Sequence, residues 1–338
     1  MKPPLVSVVI ATYNASHLLR YAIESVRLSD YRHFEIIVVG DHCTDDTEAV
    51  VASFGDERIR FINLKRNSGQ QATPNNVGVA AARGEYLSFL NQDDMYLPHH
   101  LSSSLAMIRR MGADILCSAY PAILPAPPAG SGSSEIDAIG QGFEPTGRFS
   151  PHTFHVASSW FMRREATRKA GNWKLENQMW ATPSQDWLYR AWRKGLRIQC
   201  TRQMSVIVLH AGYRRNSYRK RDSSEHKTVF RDIVSTNRLR TQVLLAAEDW
   251  FEAILHPPQI FKEPDGWLDG VLLGKQWGRT RKERKRFDFL HYDQIIIWIL
   301  TRIGIHPNSA YIIKHFGWRR GELIRIQQRT IGLERVIE

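Results

Sequence analysis

The sequence predicts an α/β fold in which helices cover both faces of a mostly parallel sheet, followed by a helical C-terminal region. Over the first hundred residues, short apolar runs bounded by turn-forming residues alternate with stretches of helical periodicity. Strands that alternate with helices are typical of a parallel sheet that is buried on both faces. The last third of the chain has a helical pattern throughout.

The N-terminal elements follow one another closely. Predicted strands cover residues 5–11, 34–39, 59–64 and 86–90, and predicted helices cover residues 17–26, 47–54 and 76–82. In open α/β sheets, ligands bind at the carboxyl ends of the strands. Tyr13, Asp41 and Asp93 each follow such a strand. The pattern therefore predicts one crevice that is formed by three strand ends.

The composition changes over residues 120–147, which are rich in Pro, Ala, Gly and Ser. This bias predicts a mobile loop that forms a lid near the crevice. Beyond it we expect an edge strand at residues 154–161, helices at residues 164–170 and 184–195, and a late strand before His210. The predicted organisation is a domain over residues 1–215, with a mobile loop at about 120–150, and a helical basic region over residues 216–338.

The length and composition limit the classes of protein to which this chain can belong. A chain of 338 residues with 43% hydrophobic residues is long enough for a full core, which argues against disorder. Its three cysteines form no short-spaced pair, so a reducing compartment is expected. The start of the chain has no charged and apolar stretch of the kind that forms an export signal. We therefore expect a cytoplasmic protein.

The net charge of +12 is concentrated in the last third of the chain. Residues 1–210 hold 22 basic and 19 acidic residues, whereas residues 211–338 hold 24 and 15. Such a region is suited to nucleic acid, an anionic membrane face or phosphate groups on a substrate. It contains a cationic run at residues 279–286 and an apolar run at residues 295–305, which is too short to span a bilayer. Two alternatives stay open for the apolar run: peripheral attachment to a membrane, or a buried helix beside a charged face.

Two adjacent carboxylates, Asp93 and Asp94, follow the predicted strand at residues 86–90. Mg²⁺ and Mn²⁺ are commonly held by one or two carboxylates together with substrate phosphates, and a strand end gives such ligands a rigid base. The alternative is that both residues cap the helix predicted to begin near Pro98. The pair therefore predicts either a metal site or a helix start.

The order of motifs resembles the inverting nucleotide-sugar glycosyltransferases of family 2, and the resemblance covers about residues 5–212. The segments that carry it are VSVVIATYN at residues 6–14, IVVGDHCTDDT at 37–47, NSGQQATPNNVGVAAARG at 67–84, NQDD at 91–94 and SQDWL at 184–188. The resemblance implies a GT-A fold, which is a Rossmann-like, mostly parallel sheet with helices on both faces. A flat aromatic ring such as that of Tyr13 suits the stacking of a nucleotide base.

The resemblance also implies roles for particular residues. The residues implied to bind the nucleotide sugar are Ala11, Thr12, Tyr13, Asp41, Asn67, Gly69, Gln92 and Asp93. Asp93 would bind Mn²⁺ or Mg²⁺, and His210 would be a further metal ligand. Asp186 is implied as the base that takes the proton of the acceptor hydroxyl, a step for which one carboxylate suffices.

Four positions depart from the family pattern: Gly40, Asn75 and Asn91 replace its usual Asp, Arg and Asp, and Gln185 replaces Glu. These departures leave open a non-catalytic, nucleotide-binding relative. The basic last third leaves open a nucleic-acid-binding protein, although no nucleic-acid motif is present. A nicotinamide oxidoreductase is disfavoured because no Gly-x-Gly-x-x-Gly follows the first strand.

The function that the resemblance implies is sugar transfer from a nucleoside diphosphate donor, with a UDP-sugar favoured, to a hydroxyl of a growing glycan. The family context suggests polysaccharide or lipopolysaccharide assembly. The acceptor would be carried on a polyprenyl diphosphate at the inner face of the plasma membrane, where peripheral contact of the protein is expected, and no nucleic-acid partner is expected.

Overall fold

The computed structural model describes residues 3–125, 136–150, 153–175, 182–209 and 223–255. Its strands are β1 (Val6–Thr12), β2 (Phe34–Gly40), β3 (Ile59–Asn63), β4 (Tyr86–Phe89), β5 (Met95–Tyr96), β6 (Ile115–Ser118), β7 (Tyr120–Ile123), β8 (Ala138–Gln141), β9 (Trp160–Arg163), β10 (Ile198–Thr201) and β11 (Val206–Ile207). Its α-helices are α1 (Ser16–Arg27), α2 (Thr47–Ala52), α3 (Ala72–Ala81), α4 (His100–Met111), α5 (Arg164–Ala170), α6 (Pro183–Arg193), α7 (Ser224–Val229) and α8 (Arg240–Leu255).

The main sheet has seven strands in the order β10-β6-β9-β4-β1-β2-β3. β1 pairs in parallel with both β2 and β4, and β2 pairs in parallel with β3. β5 and β11 form a separate antiparallel pair. The alternating βα order predicted from the sequence therefore builds a mostly parallel sheet.

Both faces of the sheet are buried, which explains why its central strands are continuously apolar. Successive side chains of a strand point to opposite faces. On β1, Val8 and Ile10 belong to one core cluster, and Val9 belongs to the other. On β2, Ile36 and Ile37 divide in the same way.

Helix α3 packs closely onto the sheet through Gly78. A Cβ atom at this position would lie 2.3 Å from Cγ1 of Val9, which is too close for any side chain without movement of the helix. The small residues of α3 therefore allow close contact between the helix and β1. This helix begins at Ala72, four residues before the predicted start.

The prediction of an edge strand at residues 154–161 is wrong. The strand is Trp160–Arg163, and it lies between β4 and β6, antiparallel to both. The preceding residues Ala157–Ser159 form a 3₁₀ turn. Apolar composition marked the segment correctly as buried, but it does not distinguish an edge from an interior strand that runs in the opposite direction.

The prediction that residues 120–147 form a loop without layered structure is also wrong in part. β7 and β8 pair antiparallel within this stretch, and Tyr120 and Ala138 are buried. Residues 126–135, where Pro, Gly and Ser dominate, lie outside the described residues. The apolar partner of the hairpin comes from far along the chain, because Phe251 of α8 lies against Gly140, and no local pattern could reveal this contact.

The described C-terminal residues are helical, as predicted, and they pack on α1, β5 and the hairpin of β7 and β8. α7 continues into one π-helical stretch, Phe230–Ser235, whose Ile233 is fully buried. Arg202 at the end of β10 forms ion pairs with Glu248 and Glu252 of α8. Among the described residues, none of the helices has the length and apolarity that crossing a membrane requires. The runs at residues 279–286 and 295–305 lie outside the described residues, and the boundary near residue 215 stays a prediction.

Candidate active site

The carboxyl ends of β1 and β4 are joined by one amide side chain. Oε1 of Gln92 accepts hydrogen bonds from Oγ1 of Thr12, at 2.8 Å, and from the backbone N–H of Tyr13, at 3.0 Å. Tyr13 itself is 49% exposed. A large aromatic side chain in solvent at a strand end provides a flat surface for stacking. Three of the residues predicted to bind a nucleotide sugar therefore lie together, with Ala11 beside them in β1.

Asp41 lies at the end of β2 and holds the neighbouring loop. Its carboxylate accepts hydrogen bonds from the backbone N–H and hydroxyl groups of Ser68 and from the N–H of Gly69, at 2.9 to 3.0 Å. Its own N–H donates to the carbonyl of Thr12 at 2.8 Å, which links it to the end of β1. Gly69 adopts a φ of 76°, a conformation that glycine adopts without strain. The predicted residues Asp41, Asn67 and Gly69 thus belong to one connected loop.

The absence of an acidic residue at position 40 has a structural explanation. A Cβ atom on Gly40 would lie 2.7 Å from Oδ1 of Asn63 and 3.0 Å from Sγ of Cys43. Asn63 also accepts a hydrogen bond from the N–H of Cys43 and donates one to its carbonyl oxygen. The space that the usual aspartate would occupy is therefore filled by an amide that fixes the loop after β2.

The two carboxylates after β4 differ in environment. Asp94 is 2% exposed and accepts hydrogen bonds from Nδ2 of Asn91, from the hydroxyl of Ser158 and from the N–H of Leu209. Burial, reinforced by the negative charge of Asp93, raises the pKa of Asp94 to about 7, although these hydrogen bonds act in the opposite direction. The carboxylate of Asp94 is therefore committed to holding the turn formed by residues 91–94.

Asp93 occupies the tip of the same turn and is half-buried. Its backbone carbonyl lies 3.1 Å from Nε2 of His226, on α7. His226 is fully buried, and its ring packs beside Tyr21 of α1, with centroids 6.4 Å apart. A helix from the C-terminal part of the chain therefore supports the turn that carries Asp93.

The donor set of this turn fits a hard divalent cation. Asp94 is committed to the turn, and Asp93 is the more exposed of the two carboxylates. Asn91 uses its amide nitrogen on Asp94, which leaves its amide oxygen as a second oxygen ligand. One carboxylate with substrate phosphates is a common arrangement for Mg²⁺. His210, the other predicted metal ligand, lies outside the described residues.

Asp186 lies in the first turn of α6, which begins with Pro183. Its Oδ2 atom accepts a hydrogen bond from Nε of Arg190 at 2.7 Å, and both side chains are largely buried. Arg190 also donates to the carbonyl oxygens of Ala170 and Asn172, at 2.9 and 2.8 Å. The carboxylate is therefore held in one orientation. An acidic residue in a first helical turn is also favoured by the helix dipole.

A stack of indole rings connects the start of α6 to the centre of the sheet. Trp187 stacks on Trp160 of β9 and on Trp173, with centroid distances of 5.6 and 5.9 Å. Trp160 follows directly on the 3₁₀ turn that contains Ser158. Trp187, which follows Asp186 in the chain, therefore packs against Trp160 of β9. The 3₁₀ turn before β9 contains Ser158, whose hydroxyl binds Asp94. Asp186 itself makes no described contact with the residues around Gln92.

Sequence reasoning missed three supporting residues, namely Ser158, Asn63 and His226. Each acts through tertiary contacts with residues distant in sequence: Ser158 bonds to Asp94, 64 positions away, and His226 approaches Asp93, 133 positions away. The polar residues His155, Ser158 and Ser159 within the run at residues 154–161 were a local signal, but they do not single out Ser158.

Comparison with known proteins matches about half of the chain to one family. The model described as Glycosyl transferase family 2 matches residues 7–171. Succinoglycan biosynthesis protein ExoO of Rhizobium meliloti is 37% identical over 114 residues, which cover 34% of this chain and 32% of that protein. The GalNAc(5)-diNAcBac-PP-undecaprenol beta-1,3-glucosyltransferase of Campylobacter jejuni is 39% identical over 103 residues, or 30% and 33% of the two chains. The chain thus spans about a third of the length of the curated relatives it matches.

A solved structure extends the comparison to almost the whole chain. The fold is similar to that of S. aureus TarS 1-349 in complex with UDP-GlcNAc, with a TM-score of 0.52 and 15% sequence identity, over 98% of this chain and 91% of that one. At this level of identity the likeness shows the fold alone. It confirms the α/β class with a mostly parallel sheet that the sequence predicts.

Proposed function

The chain belongs to glycosyltransferase family 2, and from that premise we propose that it transfers a sugar from a nucleoside diphosphate donor to a hydroxyl of a glycan with inversion of the anomeric centre. The observation that carries the proposal is the bridge formed by Gln92. It brings the exposed ring of Tyr13 and the turn carrying Asp93 to one edge of the sheet. The end of that edge with Tyr13 suits a nucleotide base, and the end with Asp93 suits a diphosphate.

The residues of the crevice are assigned to successive parts of the donor, from the base to the phosphates. The nucleotide base stacks on Tyr13, since an aromatic face in solvent gains by covering another ring. The loop of Asn67 and Gly69, which Asp41 holds through the N–H groups of Ser68 and Gly69, lies beside it, and its glycine lets a phosphate or ribose approach the backbone closely. The base that we favour is uracil, because the printed name of a relative in Escherichia coli, UDP-Glc:alpha-D-GlcNAc-diphosphoundecaprenol beta-1,3-glucosyltransferase WfgD, mentions a UDP-sugar.

Asp93, with the amide oxygen of Asn91, would hold a Mn²⁺ or Mg²⁺ ion. A cation there supplies positive charge beside the departing diphosphate. The turn itself is made rigid by Asp94, which takes three hydrogen bonds, and by the contact of His226 with the Asp93 carbonyl. Rigid support of a ligand keeps it in productive geometry.

Asp186 is the proposed general base. Arg190 fixes one of its oxygens, and the other accepts no hydrogen bond from the described residues, so it can receive the proton of an acceptor hydroxyl. That hydroxyl oxygen attacks the anomeric carbon from the face opposite the leaving phosphate, which inverts the configuration. The bond to the diphosphate breaks as the new glycosidic bond forms.

The proposed acceptor is a glycan carried on a polyprenyl diphosphate, in polysaccharide or lipopolysaccharide assembly. The printed names of two relatives mention succinoglycan and an undecaprenol-linked glycan. The excess of nine positive charges over residues 211–338 suits an anionic acceptor and peripheral contact with the inner face of the plasma membrane. A cytoplasmic location remains part of this proposal.

The experiment that tests the proposed function follows donor hydrolysis by NMR. The full chain is incubated with α-linked UDP-sugars and Mn²⁺, and the first-formed sugar is identified before it equilibrates. We expect slow release of the β-anomer with at least one UDP-sugar. Release of the α-anomer would exclude inversion, and the absence of hydrolysis with every nucleotide sugar tried would support a non-catalytic relative.

A further inference from the structure

Three buried side chains that the proposed reaction does not use lie together near one edge of the main sheet. Cys117 on β6 and Cys200 on β10 occupy paired positions on neighbouring parallel strands. His155 precedes β9 and completes the group. Their ligand atoms all lie within 4.8 Å of one another, and no member is more than 3% exposed. We propose that this group, the Cys117–His155–Cys200 cluster, binds a Zn²⁺ ion.

The ligand set favours a thiophilic cation. Zn²⁺ is bound in proteins by cysteine sulfur and histidine nitrogen, in four-coordinate sites. Two sulfurs and one imidazole supply three positions, and a water molecule supplies the fourth. Hard cations such as Mg²⁺ and Mn²⁺ prefer oxygen ligands. The cluster is therefore chemically distinct from the turn that carries Asp93.

The charge balance of the cluster also favours Zn²⁺. Two thiolates and one neutral imidazole carry a charge of −2, which a divalent cation cancels. A buried site without net charge avoids the large cost of leaving an unpaired charge in an apolar interior. A monovalent thiophilic ion such as Cu⁺ would leave one negative charge in the same place.

Without a metal, the two ring nitrogens of His155 have weak hydrogen-bond partners or none among the described residues. Its Nε2 atom lies 3.8 Å from Sγ of Cys200, and its Nδ1 atom has no hydrogen-bond partner among the described residues. A thiol is a weak donor and a weak acceptor, and the aromatic neighbour Phe149 offers only ring contact at 5.7 Å. A buried polar group with weak partners destabilises the fold. A bond from Nε2 to Zn²⁺ would replace this weak contact with the thiol by a strong one.

Binding of Zn²⁺ would release the protons of the two thiols. The metal-free cluster contains two buried cysteine thiols, Cys117 and Cys200. Zn²⁺ replaces the protons of both thiols, which pass to solvent, and two Zn–S bonds and one Zn–N bond form. Affinity should therefore rise with pH. The bound ion would tie the segment before β9 to β6 and β10.

Cobalt substitution tests the cluster directly, because a thiolate-to-cobalt charge-transfer band arises only from sulfur ligands. The full chain is stripped of metal with a chelator under reducing conditions and titrated with Co²⁺, then with Zn²⁺. We expect the band to saturate at about one equivalent of Co²⁺ and to disappear when Zn²⁺ is added. No band in folded wild-type protein would overturn the proposal.

Variants identify the ligands. Cys117→Ser and Cys200→Ser should lose the band, whereas the matched control Cys43→Ser, which removes a buried cysteine outside the cluster, should keep it. A band that is undiminished in Cys200→Ser would also overturn the proposal. If the serine variants do not fold, His155→Gln retains both thiols and should weaken Co²⁺ binding by about tenfold or more. Unchanged Co²⁺ affinity in that variant would contradict the assignment of His155.

Discussion

The hydroxyl of Ser158 donates a 2.6 Å hydrogen bond to the carboxylate of Asp94, across 64 positions of sequence. The same hydroxyl oxygen accepts a bond from the N–H of Asn91 at 3.0 Å. One side chain on the turn before β9 therefore holds both ends of the turn after β4. Both residues of the pair are buried, so neither partner can turn to water if the other is lost.

Ser158→Ala should destabilise the protein by about 1 to 3 kcal/mol, because it removes one of the three hydrogen bonds to the buried Asp94 and the acceptor of the Asn91 N–H. Urea unfolding measures this loss. Ser159→Ala is the matched control, since the neighbouring hydroxyl bonds only to the nearby carbonyl of Val156. Equal losses in the two variants would show that the bond to Asp94 has no special importance.

His100→Gln should reduce the loss of stability on acidification. His100 is fully buried, with Nδ1 2.8 Å from the Ser205 hydroxyl and its ring packed on Tyr96. Burial, with a smaller contribution from His99, lowers the pKa of His100 to about 3 from 6.5. The unfolded chain therefore binds a proton between these values that the folded protein does not, so stability falls as pH falls from about 6.5 towards 3.

Between pH 7 and pH 5 the buried imidazole should account for about 2 kcal/mol of the wild-type loss. Urea unfolding of both proteins at the two pH values measures the difference. The hydroxyls of Ser88, Tyr96 and Ser205, which contact the ring, do not titrate in this range, and the neighbouring His99 is retained in both proteins. An identical pH dependence in His100→Gln would mean that His100 is not held neutral.

Phe251→Ala tests whether α8 is an integral part of the fold. The ring of Phe251 is fully buried, stacks on Phe143 at a centroid distance of 4.7 Å and lies against Gly140. Its removal should cost about 3 to 5 kcal/mol. Trp250→Ala is the control, because Trp250 is 51% exposed and its loss should change stability by about 0.5 kcal/mol or less. Equal, small effects would mean that α8 does not pack on β8.

Asp186→Asn should abolish sugar transfer and leave donor binding intact. An amide cannot take a proton from the acceptor hydroxyl, and loss of a general base typically lowers the rate by about 10² to 10⁴. Initial rates of donor turnover and the dissociation constant for UDP separate the two effects. Glu165→Gln, on the exposed face of α5, is the control for loss of a carboxylate. Wild-type turnover in Asp186→Asn would exclude it as the base.

The sequence was informative where local pattern and burial agree. β1 and β2 are apolar on both faces because both faces are covered, so their composition alone predicted central parallel strands. β9 could not be placed, since the direction of a strand depends on how the chain reaches it. The hairpin of β7 and β8 was missed because its apolar cover, Phe251, comes from α8.

The candidate site shows the same difference between features that follow from local pattern and features that depend on tertiary contacts. Thr12, Tyr13, Gln92 and Asp93 follow strands, and strand ends meet at one edge, so their proximity was predictable. The bond from Ser158 to Asp94 and the approach of His226 to Asp93 depend on tertiary contacts between segments that are distant in sequence. The resemblance in motifs predicted Asp186, but its ion pair with Arg190 became evident only from the coordinates.

The most direct test of the proposed site is the binding of UDP with and without Mn²⁺ to the wild type and to Asp93→Asn, measured by calorimetry. The wild type should bind UDP more tightly by about tenfold or more when Mn²⁺ is present, and Asp93→Asn should bind equally weakly in both conditions. Glu57→Gln, which changes an exposed carboxylate, should behave as the wild type. Absence of UDP binding in the wild type, or full Mn²⁺ dependence in Asp93→Asn, would contradict the account.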